Sequence, residues 1–189
     1  MNKTMLFALA ALASAFTAGA ESPAMPEPQA IEVKEVLADS VGEPLVYEVP
    51  EAYSPDAPDF QLVNIDGKET RLSDFRGKWV IVDFWGSWCP WCIKGFPKLK
   101  ETYAQVKDKV EVIGVDCGDT PEVWKEAVKH YQLPWVNLYN PMEGGDALLD
   151  AYNIQGFPTK VIIDPEGKIR NVTSGENPVF YDVLFDLIK

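Results

Sequence analysis

Trp79-Val80-Ile81-Val82-Asp83-Phe84-Trp85 runs directly into Gly86-Ser87-Trp88-Cys89-Pro90-Trp91-Cys92. The first seven residues are apolar almost without a break, the pattern of a strand covered on both faces. Past the second cysteine, Ile93, Phe96, Leu99, Tyr103 and Val106 recur at helical spacing, which predicts a helix to about Asp108. Pro97 falls inside that helix and should kink it. A Cys-x-x-Cys pair therefore stands where a buried strand hands over to the first turn of a helix. Backbone N–H groups at a helix start lack partners, and the helix dipole favours an anion there, so the thiol of Cys89 is shifted toward thiolate. Cys92, one turn inside, is more enclosed and less acidic. Such a pair lets one sulfur attack and the other resolve.

The same reading extends outward. Downstream, Val110 to Asp116 is a second short buried strand. Thr120-Pro121-Glu122 starts a helix with an N-cap, a proline at the first position and an acid in the first turn. Its apolar face is Val123, Trp124, Ala127, Val128 and Tyr131. Trp135 to Tyr139 is a strand, and Asp146 can cap a helix through Tyr152. Thr159 to Ile163 and Lys168 to Val172 flank the turn Asp164-Pro165-Glu166-Gly167, and Asn177-Pro178 opens a last helix with Phe180, Val183, Leu184 and Leu187 inward. Upstream, Phe60 to Ile65 and Glu69 to Leu72 form a hairpin about Asp66-Gly67. Strands alternating with helices predict an α/β domain over residues 58–189, its mixed, mainly parallel sheet covered by helices on both faces.

Ahead of that domain the composition changes. Lys3, the apolar stretch Met5 to Phe16 and Ala18-Gly19-Ala20 read as an export signal over residues 1–20. The apolar stretch is well short of the ~20 residues needed to span a bilayer. No cysteine follows it to carry a lipid. The mature chain is thus expected to be soluble and in a compartment that permits disulfides. Residues 21–57 are acidic and proline-rich, the composition of a linker or draped extension, with Ile31, Val33 and Val46 to Val49 able to form short edge strands. The formal net charge is -12. Nucleic acid and anionic membrane surfaces would repel such a chain and are not expected as partners.

Three other readings compete for the cysteines. Cys89, Cys92, Cys117 and His130 could supply four zinc ligands, but a strand–helix junction inside an α/β core is the setting of a redox motif. Covalent haem attachment requires His after the second cysteine, where this chain has Ile93. A structural disulfide across so short a loop would stabilise little. No metal and no cofactor beyond the two thiols is expected. Cys117 reads as a free, partly buried thiol, and His130 as a surface residue near a helix C-terminus. The sequon Asn171-Val172-Thr173 falls in a predicted strand and is discounted.

The segment Asp83 to Cys92 resembles the active-site segment of thioredoxins. Pro97 lies where their active-site helix has its proline, and Tyr152-Asn153-Ile154-Gln155-Gly156-Phe157-Pro158-Thr159 is similar to the stretch that holds their cis-proline. The inserted strand and helix, roughly Thr120 to Tyr139, and the leading hairpin resemble the exported TlpA-like, redoxin-type reductases. The resemblance implies a thioredoxin-like fold with those additions and a bacterial periplasmic location. It implies that Cys89 attacks and Cys92 resolves, with Pro158 cis and the Phe157 backbone pairing to an extended substrate segment. Trp88, Pro90, Trp91, Phe157 and Pro158 would form the substrate groove, whereas Trp85 is expected in the core. The implied partners are a disulfide-bearing protein substrate and a membrane-embedded thiol donor, with the chain acting as a monomer.

Two departures sharpen this. Many TlpA-like reductases carry Glu three residues after the second cysteine, where this chain has Gly95. Asp83 instead occupies the place of thioredoxin's buried acid, and burial in an apolar strand should raise its pKa until it can accept and return the proton of Cys92. The lysine that accompanies that acid in thioredoxin has no evident counterpart. Pro90-Trp91 places no cation between the cysteines, so the thiolate is less stabilised and the couple should be reducing. A redoxin-type peroxidase would need Thr-x-x-Cys, which is absent. The alternatives are an exported oxidant or isomerase of disulfides and, from another class, a non-catalytic redox-sensing module with the acidic extension as its contact.

Overall fold

The computed structural model describes residues 46–48, 54–141 and 143–189. In chain order these form β1 (Val46–Glu48), β2 (Gln61–Asn64), β3 (Glu69–Arg71), a 3-10 turn (Leu72–Phe75), β4 (Trp79–Trp85), α1 (Pro90–Val106), β5 (Val110–Cys117) and α2 (Pro121–Tyr131). Then come β6 (Val136–Asn140), α3 (Asp146–Ala151), β7 (Thr159–Ile163), β8 (Ile169–Ser174) and α4 (Val179–Leu187). All strands join one eight-stranded sheet in the order β1-β8-β7-β4-β5-β6-β2-β3. This is a mixed α/β, thioredoxin-like architecture. The expectation of a mainly parallel sheet needs correcting. Only β4–β5 and β5–β6 run parallel, and every other pairing is antiparallel. Helical crossovers, which parallel neighbours require, link only these three adjacent strands through α1 and α2, whereas the β2–β3 and β7–β8 hairpins add antiparallel strands on either side.

The central position of β4 follows from its sequence. Val80, Ile81, Val82, Phe84 and Trp85 are all at most 2% exposed, each contributing roughly 1.5–3 kcal/mol of burial. Alternation along the strand divides them between two cores. Ile81 and Trp85 face α1, α2 and α4, packing with Cys92, Phe96, Trp124, Phe180 and Leu184. Val80, Val82 and Phe84 face the opposite way, with Ile113, Val115, Leu138 and Tyr152. Asp83, by the same alternation, sits on the α1 face.

Element starts follow local chemistry. Thr120 Oγ1 accepts from Val123 N at 3.4 Å at the head of α2, with Pro121 opening the helix. Trp124, Ala127 and Val128 bury the inner face of α2, but Val123 is 43% exposed, because a residue next to Trp124 turns away from the sheet. Asp146 is the first residue of α3 rather than its cap; Gly145 holds the cap position, without a side-chain hydrogen bond. In α4, Phe180, Val183 and Leu184 point inward, and Asn177 Oδ1 accepts from Val179 N at 3.0 Å.

The sheet reaches upstream of Pro58. β1 pairs with β8, Val46 opposite Thr173, and Ala57 N donates to Gly167 O while Ile169 N donates to Pro55 O, both at 2.9 Å. The export signal, the expected strands at Ile31 and Val33 and most of the acidic extension lie outside the described residues. Among the described residues no helix is long and apolar enough to cross a membrane.

Candidate active site

Strand β4 ends at Trp85, and the loop Gly86–Trp88 delivers Cys89 to the N-cap of α1. Cys89 and Cys92 are joined in a disulfide, with Sγ–Sγ 2.08 Å and Cα–Cα 5.3 Å. Cys92 N–H, one of the N–H groups that the first turn leaves without a partner, points at Cys89 Sγ at 3.1 Å. That donor favours negative charge on Cys89 once the bond is opened. Both residues are buried, at 3% and 2% exposure. Position on the helix, rather than burial, therefore distinguishes the two sulfurs. Pro97 lies within α1, where it cannot donate to the carbonyl one turn earlier.

The delivering loop is pinned from behind. Ser87 donates through both N and Oγ to the two carboxylate oxygens of Asp119, each at 2.8 Å. Asp116, on β5 beside it, is pushed up to about 9 by burial and by Asp119. Asp119 stood out by no motif; its role is visible only once the β5–α2 loop lies beside the β4–α1 loop.

Around the disulfide the surface is aromatic. Trp88 and Trp91 are 52% and 60% exposed, Pro90 is exposed and Phe157 half-buried. Trp88 meets Phe157 edge-on with ring centroids 5.1 Å apart, and its Nε1 donates to Cys117 O at 2.9 Å. Gly86 permits this posture, since a Cβ there would come within 2.7 Å of Trp88 Cε2. The Phe157–Pro158 peptide bond is cis, and Pro158 is buried at the start of β7. Beside the Trp88–Phe157 pair opens a cavity of 250 Å³, lined also by Cys117, Asn140 and Leu149. Trp85 is fully buried, edge-on to Phe96.

Asp83 lies on the face of β4 whose apolar residues, Ile81 and Trp85, pack in one cluster with Cys89 and Cys92, and it is 2% exposed. Its antiparallel neighbour across the β4–β7 ladder is Lys160, whose Nζ stands 3.7 Å from Asp83 Oδ1. The expectation that Asp83 has no lysine companion is thus wrong. The partner comes from a strand distant in sequence, and only the register of β7 on β4 brings it there. A lysine inside the otherwise apolar run Thr159–Ile163 was the available signal. Glu176, between β8 and α4, accepts from Lys160 Nζ at 2.7 Å through Oε2 and from Tyr181 Oη at 3.2 Å through Oε1. Sequence reasoning passed over it. Asp83 Oδ1 has no hydrogen-bond partner. Burial pushes the Asp83 carboxyl up, Lys160 pulls it down and Glu176 raises it again, leaving it at about 6. A group with that pKa exchanges a proton readily at neutral pH.

Cys117 is free and buried, its Sγ 3.4 Å from Val115 O, and burial followed by Asp116 pushes its thiol up to about 12. It stands apart from the disulfide pair as an inert thiol. His130 sits in the last turn of α2, edge-on to Tyr131. Among the described residues no cluster of His, Cys, Asp and Glu is arranged to hold a metal ion. Asn171 is fully buried in β8 and accepts from Thr173 Oγ1 at 2.8 Å.

Comparison with known proteins gives a consistent answer. The sequence profile of the AhpC/TSA family matches residues 54–172. The thiol-disulfide oxidoreductase ResA of Bacillus thuringiensis subsp. konkukian (strain 97-27) is 35% identical over 122 residues, covering 64% of this chain and 69% of that protein. ResA of Bacillus subtilis (strain 168) is 37% identical over 121 residues, covering 64% and 66%. Among solved structures, the thioredoxin domain of a thiol-disulfide oxidoreductase from Bacteroides vulgatus has a TM-score of 0.66 at 32% identity, over 72% of this chain and 97% of that one. A thiol:disulfide interchange protein from Bacteroides sp. has a TM-score of 0.65 at 32% identity, over 71% and 89%.

Proposed function

This chain belongs to the AhpC/TSA family, and from that membership we propose that it is a thiol–disulfide oxidoreductase working as a reductase of protein disulfides outside the cytoplasm. The observation that carries the reading is the Cys89–Cys92 disulfide on the first turn of α1, flanked by exposed Trp88 and Trp91 with no cation between the cysteines.

In the reduced protein Cys89 thiolate attacks one sulfur of a substrate disulfide. The Cys89–substrate bond forms, and the substrate's other sulfur leaves as a thiolate and takes a proton. Cys92 then gives its proton to Asp83 and attacks Cys89 Sγ. That closes the Cys89–Cys92 bond and expels the second substrate thiolate, which is protonated in turn. Two electrons have passed to the substrate. Trp88, Pro90, Trp91 and Phe157 offer an apolar surface for an extended substrate segment, and the backbone ahead of cis-Pro158 supplies polar groups to pair with it. A disulfide-bearing protein fits this surface better than a small polar molecule.

Regeneration requires a dithiol donor, for which a membrane-embedded relay is the proposal. Residues 1–20 act as the export signal, 21–57 as an extension whose β1 edge strand completes the sheet, and 58–189 as the body of a monomeric catalytic domain. Equilibration with dithiothreitol or glutathione buffers tests the direction. A couple near about -270 mV, the reducing end of the fold's range, agrees with reduction, and one above roughly -150 mV makes the protein an oxidant.

A further inference from the structure

Gly95 is buried on α1 one turn beyond Cys92, on the same face of the helix. Glycine inside a helix is unfavourable, so something must require it. A Cβ at this position would stand 2.6 Å from Glu176 Cδ and closer still to Oε2. The helix and Glu176 therefore claim one volume, and the missing side chain yields it to the carboxylate.

Glu176 arrives from the β8–α4 connection, and its oxygens are held by Lys160 at 2.7 Å and Tyr181 at 3.2 Å. Lys160, 3% exposed along its side chain, stands between two carboxylates, 2.7 Å from Glu176 and 3.7 Å from Asp83. The hydrogen-bonded acid, Glu176, is the better ion partner. Asp83, with an orphan Oδ1, is left to carry the exchangeable proton.

We propose that Glu176 is the second carboxylate of the active site, a positioning residue delivered from the β8–α4 loop into the volume left by Gly95, which holds Lys160 off Asp83 and keeps Asp83 able to take the proton of Cys92. The proposal rests on the reading of Asp83 as proton carrier. The titratable groups that act on Asp83 are Lys160 on β7, Glu176, and Tyr181 on α4, with Cys117 on β5 acting from the opposite face of the sheet and Cys92 in the core cluster on Asp83's own face. Burial pushes Tyr181 and Cys117 far above neutrality. Glu176 raises Asp83 while Lys160 lowers it, so neutralising Glu176 removes a raising charge and frees Lys160 to close on Asp83. Asp83 then becomes the weaker base.

The test measures the resolving step from pH 5 to 9 in the reduced full chain, using a model mixed disulfide on Cys89. Glu176→Gln keeps the volume and should move the acidic limb down by about one pH unit, with slower resolution at pH 7. In an Asp83→Asn background the same change should have no effect on that limb. Gly95→Ala should destabilise the wild-type chain but be tolerated or stabilising beside Glu176→Ala, because the contested volume is then free. If Asp83→Asn alone leaves the pH profile unchanged, the underlying reading of Asp83 fails. If Asp83→Asn flattens the limb but Glu176→Gln does not move it, the role of Glu176 is overturned while Asp83 stands. Equal cost of Gly95→Ala in both backgrounds would show that Gly95 does not make room for Glu176, which also overturns the proposal.

Discussion

Asp83→Asn keeps the shape of the side chain and removes its charge, and its effect on stability depends on pH. Asp83 is 2% exposed, and its pKa rises from 3.8 to about 6 on folding, chiefly through burial. The folded state therefore holds this proton more tightly than the unfolded chain. The group's stability contribution is fully present below the unfolded pKa and is lost as pH rises through the folded value. At about 1.36 kcal/mol per pKa unit, the loss above both values is roughly 3 kcal/mol. A few tenths of this are already lost near pH 4, so the advantage of Asn over Asp should grow by roughly 2.5 kcal/mol between pH 4 and pH 8. Lys160 keeps Glu176 at 2.7 Å and is not orphaned by the change. Urea melts of the oxidised protein at both pH values read the difference directly. A stability difference between the two proteins that is the same at both pH values would mean that the pairing with Lys160 offsets burial and that Asp83 ionises like an ordinary carboxylate. The same variant should slow the resolving step at least about tenfold at neutral pH, a floor below the about 10²–10⁴-fold typical of general acid–base help because water substitutes in part. Mixed-disulfide formation by Cys89 should change much less. Stopped-flow tryptophan fluorescence can separate the two. Resolution as fast as wild type from pH 6 to 9 would leave Asp83 without a role in proton transfer.

Other variants probe the cysteines. Cys92→Ala should accumulate mixed disulfides with substrate proteins while Cys89→Ala should not; equal trapping by both, or by neither, would reverse or abolish the assigned roles. Cys117, buried and pushed up to about 12, should alkylate slowly in the native protein and fast in denaturant. Cys117→Ala should keep its reductase activity, and a collapse of activity with the fold intact would bring the third cysteine into the mechanism.

Local chemistry set out most of this molecule in advance. A short, nearly unbroken apolar run rich in β-branched and aromatic residues fits a covered strand, so Trp79–Trp85 was legible as β4, and the cysteine pair behind it as the head of a helix. Thr120-Pro121 announced α2, and the turn at Asp164 to Gly167 announced the β7–β8 hairpin, because caps and tight turns are decided within a few residues. The buried acid Asp83 was equally plain, a charge where the pattern allows none. What surrounds that acid was not legible. Lys160 meets Asp83 through strand register, and Glu176 reaches the space beside Gly95 from a loop some eighty residues downstream. Asp119 pins Ser87 across two loops. The balance of parallel and antiparallel pairing likewise depended on which strands became neighbours. Hydrophobic period and capping are short-range and can be read along the chain. Electrostatic partnership depends on distances between elements, and those exist only once the sheet has assembled.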